Sequence, residues 1–275
     1  MRKFLTITLL MGVLIALAGW LGLPAMLTAM GLHPDYAGER IPFRGRALIV
    51  TTSHDRLGDE GATGVFASEM TAPYYEFRDA GMDVDLASIK GGQIPIDPIS
   101  FRWFVKSKYD HRYLNDVEFQ GKARQSLGID SVDFRQYDIV FLAGGWGAAY
   151  DFAESRVLGR KISEAYAVGS IVGGVCHGPL GLLLAEDEQG RPLVRNRRVT
   201  AVTNKQVAEL GITMTPQHPE RELMEAGALF EAEKAFRDVF ANHVVVDGRL
   251  VTGQNQNAGP EVAVTMMKLA REHVQ

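Results

Sequence analysis

The stretch Ser170-Ile171-Val172-Gly173-Gly174-Val175-Cys176-His177-Gly178-Pro179 constrains this chain more than any other. An apolar, β-branched run leads into small residues, the only cysteine and a histidine. A second apolar run, Leu180-Gly181-Leu182-Leu183-Leu184, follows at once. Gly174-x-Cys176-x-Gly178 has the spacing of a nucleophile elbow, where a strand turns sharply into a helix. Such a turn leaves no room for Cβ atoms beside its central residue, which explains the flanking glycines. A thiol placed there meets the orphan N–H groups and dipole of the following helix, which favour the thiolate. The alternative is a core cysteine, since free Cys is among the most buried residue types.

The rest of the chain alternates in the same strand-then-helix manner. Arg46-Ala47-Leu48-Ile49-Val50-Thr51-Thr52 is a continuous apolar run of the kind buried on both faces. Gly64 to Ala80 has helical spacing, with a kink or break expected at Pro73 and an end at Gly81. Met82 to Ile89 alternates as a strand, so the opening is strand, helix, strand, the unit of a parallel sheet. Asp138 to Ala143 is a strand running into Gly144-Gly145-Trp146-Gly147, and Glu154 to Val168 is a helix. Val199 to Thr203 reads as a strand, and Lys205 to Leu210 and Glu220 to Glu225 as short helices. Two further strands flank the turn Asp247-Gly248, and Val262 to Glu272 closes the chain as a helix. The order predicts an α/β fold with a doubly wound, mostly parallel sheet and helices on both faces. Residues 91–135 interrupt it with Pro95, Pro98 and an aromatic cluster, a stretch too long for an ordinary connection. They read either as an insertion capping one side of a pocket or as a surface excursion with its own small core.

The N-terminus stands apart. Arg2 and Lys3 precede an uncharged apolar run from Phe4 to about Met30, longer than the ~20 residues that span a bilayer. It is an uncleaved anchor, with the domain on the extracytoplasmic side, or a signal peptide cut after Ala16-Leu17-Ala18 and a secreted product. Residues 1–31 are therefore assigned to the anchor or signal, 32–45 to a linker and 46–275 to the domain.

The chemistry is centred on the cysteine. One Cys in 275 residues excludes an internal disulfide framework and a Cys-rich zinc site. The scattered histidines lack metal-ligand spacing, so no metal is expected. The glycine clusters lack the order of a nucleotide-binding loop. A net charge of -4 gives no reason to expect nucleic acid as a partner. Glu69 is the one acid in the otherwise uncharged run Ala62 to Tyr75. Its helix either turns it to solvent or holds it in a pocket; beside a thiolate it would stay protonated. His177 is a candidate base. Gly144 and Gly145, at the end of a neighbouring strand, are candidate oxyanion donors, or else a plain Gly-rich turn. Trp146, His54 and Tyr74 are candidates for the pocket rim.

Taken together, several stretches resemble the ThiJ/PfpI superfamily, on the class I glutamine-amidotransferase-like, flavodoxin-type fold. They are Thr63 to Glu69 with Pro73, Ile94-Pro95-Ile96-Asp97-Pro98, Ala143 to Gly147 with Asp151-Phe152, Val175 to Pro179, Gly190 to Leu193, Val199 to Thr203 and Asp247 to Asn255. More narrowly the chain is similar to the heat-shock chaperone and glutathione-independent glyoxalase (glyoxalase III) branch. The resemblance implies a cofactor-free enzyme acting on small reactive carbonyls, as a methylglyoxal-to-lactate glyoxalase or deglycase. In it Cys176 is the nucleophile, Glu69 the acid that holds the thiol and moves protons, and His177 the neighbouring histidine. Gly145 and the His177 backbone are the oxyanion donors. It also implies a homodimer. Trp146 stands where this branch often has histidine, and Asn204-Lys205-Gln206-Val207 has no acid where a Cys-His-acid triad would draw one. A non-enzymatic stress chaperone or cysteine redox sensor is the alternative. Gln217-His218-Pro219-Glu220 looks like the end of a glutaminase triad, but lies much nearer the cysteine than in those enzymes.

Overall fold

The apolar runs become strands and the amphipathic ones helices in the computed structural model, which describes residues 2–59, 61–212 and 214–274. The side chains of residues 2–10, the expected basic flank Arg2 and Lys3 among them, lie outside the description, as do those of 14, 15 and 274. The strands are β1 (Arg46–Thr51), β2 (Asp83–Ser88), β3 (Leu127–Gly128), β4 (Ile139–Leu142), β5 (Ile171–Val175), β6 (Arg198–Val199), β7 (Leu229–Phe230), β8 (Val244–Asp247) and β9 (Leu250–Gly253). The helices are α1 (Arg2–Ala29), α2 (Ala67–Ala80), α3 (Lys108–Tyr113), α4 (Val117–Arg124), α5 (Ala148–Asp151), α6 (Arg156–Ala167), α7 (Asn204–Glu209), α8 (Pro219–Glu225) and α9 (Gly259–Val274).

Seven strands form one sheet in the order β3-β2-β1-β4-β5-β9-β8. All neighbours are parallel except the β8–β9 hairpin, whose turn holds Gly248 at φ 58. Alternate residues of the central strands serve two cores, as a side-chain period of two requires. Ala47, Ile49, Ile139 and Phe141 face the layer of α2 and α9. Leu48, Val50, Val140 and Leu142 face that of α6 and the 3-10 helix Gly178–Leu182. The sheet is thus covered on both faces, and its order reverses between β1 and β4, where ligands gather at the carboxyl ends of strands.

Some elements differ from the sequence reading. Helix α2 begins at Ala67 and passes through Pro73 without a break. Pro73 denies the Glu69 carbonyl its usual donor, but residues 67–77 are all buried, and packing holds the helix. Of the run 199–203 only Val199 is in a strand, the two-residue β6, which pairs with β7 outside the main sheet. Residues 91–135 pack on α2 and share its core. Their Tyr113 and Phe119 join the core around α2. Asp110 and Asp116 accept hydrogen bonds from Thr71 (2.7 Å) and Tyr75 (3.0 Å) of that helix, and β3, late in the segment, is an edge strand.

Residues 32–45 are packed, not extended between two bodies. Ile41 and Phe43 are core residues. Arg40 holds Glu76 through two hydrogen bonds of 2.8 Å. The His33 amide donates to Asn257 Oδ1, and its Nε2 meets the Val105 carbonyl, both at 2.8 Å. In α1, Met11–Ala29 is long and apolar enough to cross a membrane, with mean hydropathy 1.8. Its Trp20 ring lies 4.5 Å from that of Trp103.

Candidate active site

Strand β5 ends at Val175, and the next residue takes φ 59, a left-handed conformation uncommon outside glycine. That residue is Cys176. Its N–H donates to the Gly253 carbonyl and its own carbonyl accepts from Val202, both at 3.1 Å, so the strained turn is tied on both sides. The flanking glycines are explained by one oxygen. A Cβ on Gly174 or on Gly178 would lie 2.1 Å from the Leu142 carbonyl oxygen of the neighbouring strand. The element that follows is the 3-10 helix Gly178–Leu182 in place of the expected α-helix.

Cys176 is 7 % exposed and Glu69 only 1 %. Glu69 sits in the first turn of α2, and its carboxyl meets the Cys176 thiol and the Gly144 backbone. Its Oε2 has no hydrogen-bond partner. Burial pushes this carboxyl up to about 8, against the weaker pull of the thiol and of Gly144. The Cys176 thiol is also pushed up, first by burial and then by the charge Glu69 would carry. The backbone N–H groups of Gly145 and His177 pull it the other way. These groups do converge on the sulfur, but they do not outweigh its burial, so the low thiol pKa expected at an elbow is not what the fold produces. The two acids form one coupled pair that gives up its first proton near pH 8 and resists losing a second.

His177 Nδ1 lies 3.3 Å from the sulfur. Burial, and secondarily His218, lower this imidazole to about 3, so it is neutral at physiological pH. Its Nε2 is buried without a partner. Among the described residues no acid takes the third place of a triad. Gln206 turns to Asn255 (3.3 Å), and Glu209 accepts the Asp238 amide at 2.8 Å. His218 acts on His177 only as a like charge, which gives no support to a glutaminase triad.

Gly145 adopts φ 96, and a Cβ there would lie 2.3 Å from the Phe66 nitrogen. Trp146 lies in the site, its ring centroid 4.6 Å from that of His177. It clusters with Cys176, Val202 and Val207, with Leu57 and Ile212 packed alongside. The sequence reading missed those four aliphatic residues; for Val202, Val207 and Ile212 the only signal was the apolar pattern of 199–212, which pointed equally to core, and Leu57 lies in a polar loop with none. His54 is set back, stacked on Tyr150 at 4.0 Å. Tyr74 is not at the rim: it is 2 % exposed and stacks on Phe119 at 3.6 Å in the core. Among the described residues no three His, Cys, Asp or Glu are grouped to hold a metal.

A cysteine on a strained elbow at the carboxyl end of a parallel sheet, paired with a buried carboxyl, marks an α/β protein with its candidate site built on a cysteine–carboxyl pair. The DJ-1/PfpI family model matches residues 62–269, and the chain belongs to this family. A glutathione-independent glyoxalase of Schizosaccharomyces pombe is 28% identical over 238 residues, 82% of this chain and 96% of that protein. One of Saccharomyces cerevisiae is 30% identical over 223 residues, 79% and 94% of the two chains. The crystal structure of glyoxalase III from Candida albicans superposes with a TM-score of 0.75 at 26% identity, covering 82% of this chain and 97% of that one.

Proposed function

We propose that the protein is a glutathione-independent glyoxalase that converts 2-oxoaldehydes such as methylglyoxal to 2-hydroxy acids. The observation that carries this reading is the buried Glu69–Cys176 pair, which holds a nucleophile and a proton carrier in contact. In the one-proton form of the pair, the sulfur adds to the aldehyde carbon as Glu69 takes the thiol proton. Glu69 returns that proton to the new alkoxide, giving a hemithioacetal. The N–H groups of Gly145 and His177 supply hydrogen bonds to the developing oxyanion. Glu69 then takes the hydrogen from the former aldehyde carbon and delivers it to the adjacent carbon through an enediol, while the proton on the first carbon's oxygen passes to the second carbon's oxygen. A 2-hydroxyacyl thioester remains on Cys176. Water adds to it, the carbon–sulfur bond breaks, and the thiol recovers its proton. One carbon is oxidised as its neighbour is reduced, and one water is consumed. Because Glu69 carries both proton transfers, the chemistry needs no acid behind His177.

Lactate formation from methylglyoxal by the full-length protein, without glutathione, tests the proposal. Wild-type turnover no faster than that of Cys176→Ala would overturn it.

We also propose that α1 anchors the chain in a membrane, with the domain on the extracytoplasmic side. The length and apolarity of Met11–Ala29 support this. Retention in the membrane fraction after alkaline extraction, with the domain open to externally added protease, is the expected result. Release at alkaline pH would oppose it.

A further inference from the structure

A cavity of about 190 Å³ lies between the last turns of α1, the first turns of α2 and α9, and residues 104–109. That is room for one tetrahedral oxyanion with a few waters. Neither Cys176 nor the residues clustered on it line this space. Most of the polar side chains around it are already engaged. Gln256 and Asn257 donate to the Val239 carbonyl, and Asn257 also to that of Ala241. Ser107 donates to Asp110, and Tyr109 to Glu76. Asp35, the one acid in the lining, is held by Lys108. His33 Nε2 meets the Val105 carbonyl, and burial lowers this imidazole, which stays neutral.

Two polar groups of the lining have no partner among the described residues. Ser68 is 1 % exposed, and its Oγ makes no hydrogen bond. A hydroxyl buried in this way is costly unless something fills the site. Lys106 is half-buried, and its ammonium has neither a hydrogen bond nor an ion pair. Ser68 and Pro260 are each the second residue of their helices, so α2 and α9 both open at the cavity with the positive ends of their dipoles. We infer that the cavity is a binding site for a phosphate group, held by the Lys106 ammonium and the Ser68 hydroxyl at the starts of α2 and α9. Attraction from three separate segments suits a tetrahedral oxyanion better than a planar carboxylate. Two sources offer that group. One is a soluble phosphate ester. The other is a lipid headgroup, because Pro24 and Thr28 of α1 also line the cavity, and the anchoring proposal puts this end of the helix at the membrane surface. The inference itself rests on neither proposal above.

The test follows the melting temperature of the full-length protein in a nonionic detergent. Inorganic phosphate and dihexanoyl phosphatidylglycerol are titrated separately, each against sodium chloride at matched ionic strength. A saturable rise of about 5–10 °C, at about a hundred times the half-saturating concentration, is expected with at least one of them. Lys106→Ala and Ser68→Ala, each checked for folding by circular dichroism, should raise the half-saturating concentration by about 10-fold or more. Lys234→Ala, at an exposed lysine outside the cavity, should leave it unchanged. Ser68→Ala removes a single unpaired oxygen, and so serves if the lysine change unfolds the protein. A rise with the lipid alone assigns the site to a headgroup, and a rise with inorganic phosphate assigns it to a soluble phosphate. No saturable rise with either would mean that water alone fills the cavity, and would overturn the inference. So would a rise that sodium chloride matches, or one that a folded alanine variant keeps in full.

Discussion

His177 Nδ1 lies 3.3 Å from the sulfur of Cys176, its immediate neighbour in the chain. Adjacent side chains seldom meet in this way, and here the left-handed backbone at Cys176 turns the two towards each other. The imidazole is buried and neutral, with no acid behind it among the described residues. It orients the sulfur, and the titrating charge of the site belongs to Glu69 and the thiol.

The pH dependence follows from that assignment. Glu69 titrates near 8. The pair is fully protonated below this, and the form with one proton gains population as pH rises. kcat/KM for methylglyoxal is expected to climb through pH 7 and level off above an apparent pKa near 8, a value that belongs to the pair. A flat profile from pH 6 to 9 would contradict the proposed role of Glu69.

Glu69→Gln should separate activity from stability. Loss of the proton carrier is expected to lower kcat by about 10²–10⁴-fold. Between pH 4.5 and about 8 the native state holds a proton that the unfolded chain has lost, so stability falls as pH rises through this window. At about 1.4 kcal/mol per unit the cost reaches a few kcal/mol. Glutamine does not ionise. The melting temperature of the variant relative to wild type should therefore rise from pH 5 to 8, then stay level. Thermal scans across that range read it directly.

His177 should show no titration across the physiological range. Its imidazole is held at about 3, far below the 6.5 of a free histidine. Imidazole NMR signals of His177 are expected to stay fixed between pH 5 and 8, apart from any small change that tracks its coupled neighbours near pH 8. A full protonation shift near pH 6.5 would place a charge beside the sulfur and require a different mechanism.

Gly145→Ala combines a left-handed φ with a Cβ 2.3 Å from a backbone nitrogen. Backbone cannot move aside as a flexible side chain can. A loss of about 2–4 kcal/mol is expected, or roughly 4–16 °C in melting temperature for a domain of this size. Activity should fall further than stability explains, because the displaced N–H is one of those that reach the sulfur.

Arg40→Ala should destabilise the domain although residue 40 precedes the first strand. Glu76 is buried, and its remaining side-chain partner would be the Tyr109 hydroxyl at 2.5 Å. A loss of about 1–3 kcal/mol in denaturant titrations is expected. No change would mean that the 32–45 segment contributes little to the fold.

The parallel sheet was legible because buried strands announce themselves as continuous apolar runs, and Arg46–Thr52 and Asp138–Ala143 are unambiguous in that respect. The elbow was legible because close backbone approach demands glycine at 174 and 178. The role of Tyr74 was not, since an aromatic on the helix that bears Glu69 suits a rim as well as a core. Nor was the thiol's upward shift. The local pattern shows the donors that favour a thiolate, whereas burial of the sulfur and of Glu69 arises from segments far apart in the chain. The packed segment 32–45 escaped notice because Pro34, Gly38 and Pro42 have the composition of a linker, while Ile41 and Phe43 carry its packing.

That segment bears on where the chain can be cut. A truncation at residue 46, the first strand, would strip Glu76 of its arginine and uncover the core at Ile41 and Phe43. One made just after Met30 would spare those contacts and the two hydrogen bonds of His33. The severable part of the molecule is the apolar helix alone. An insoluble product starting at residue 46 would reflect a damaged domain, not dependence on a bilayer.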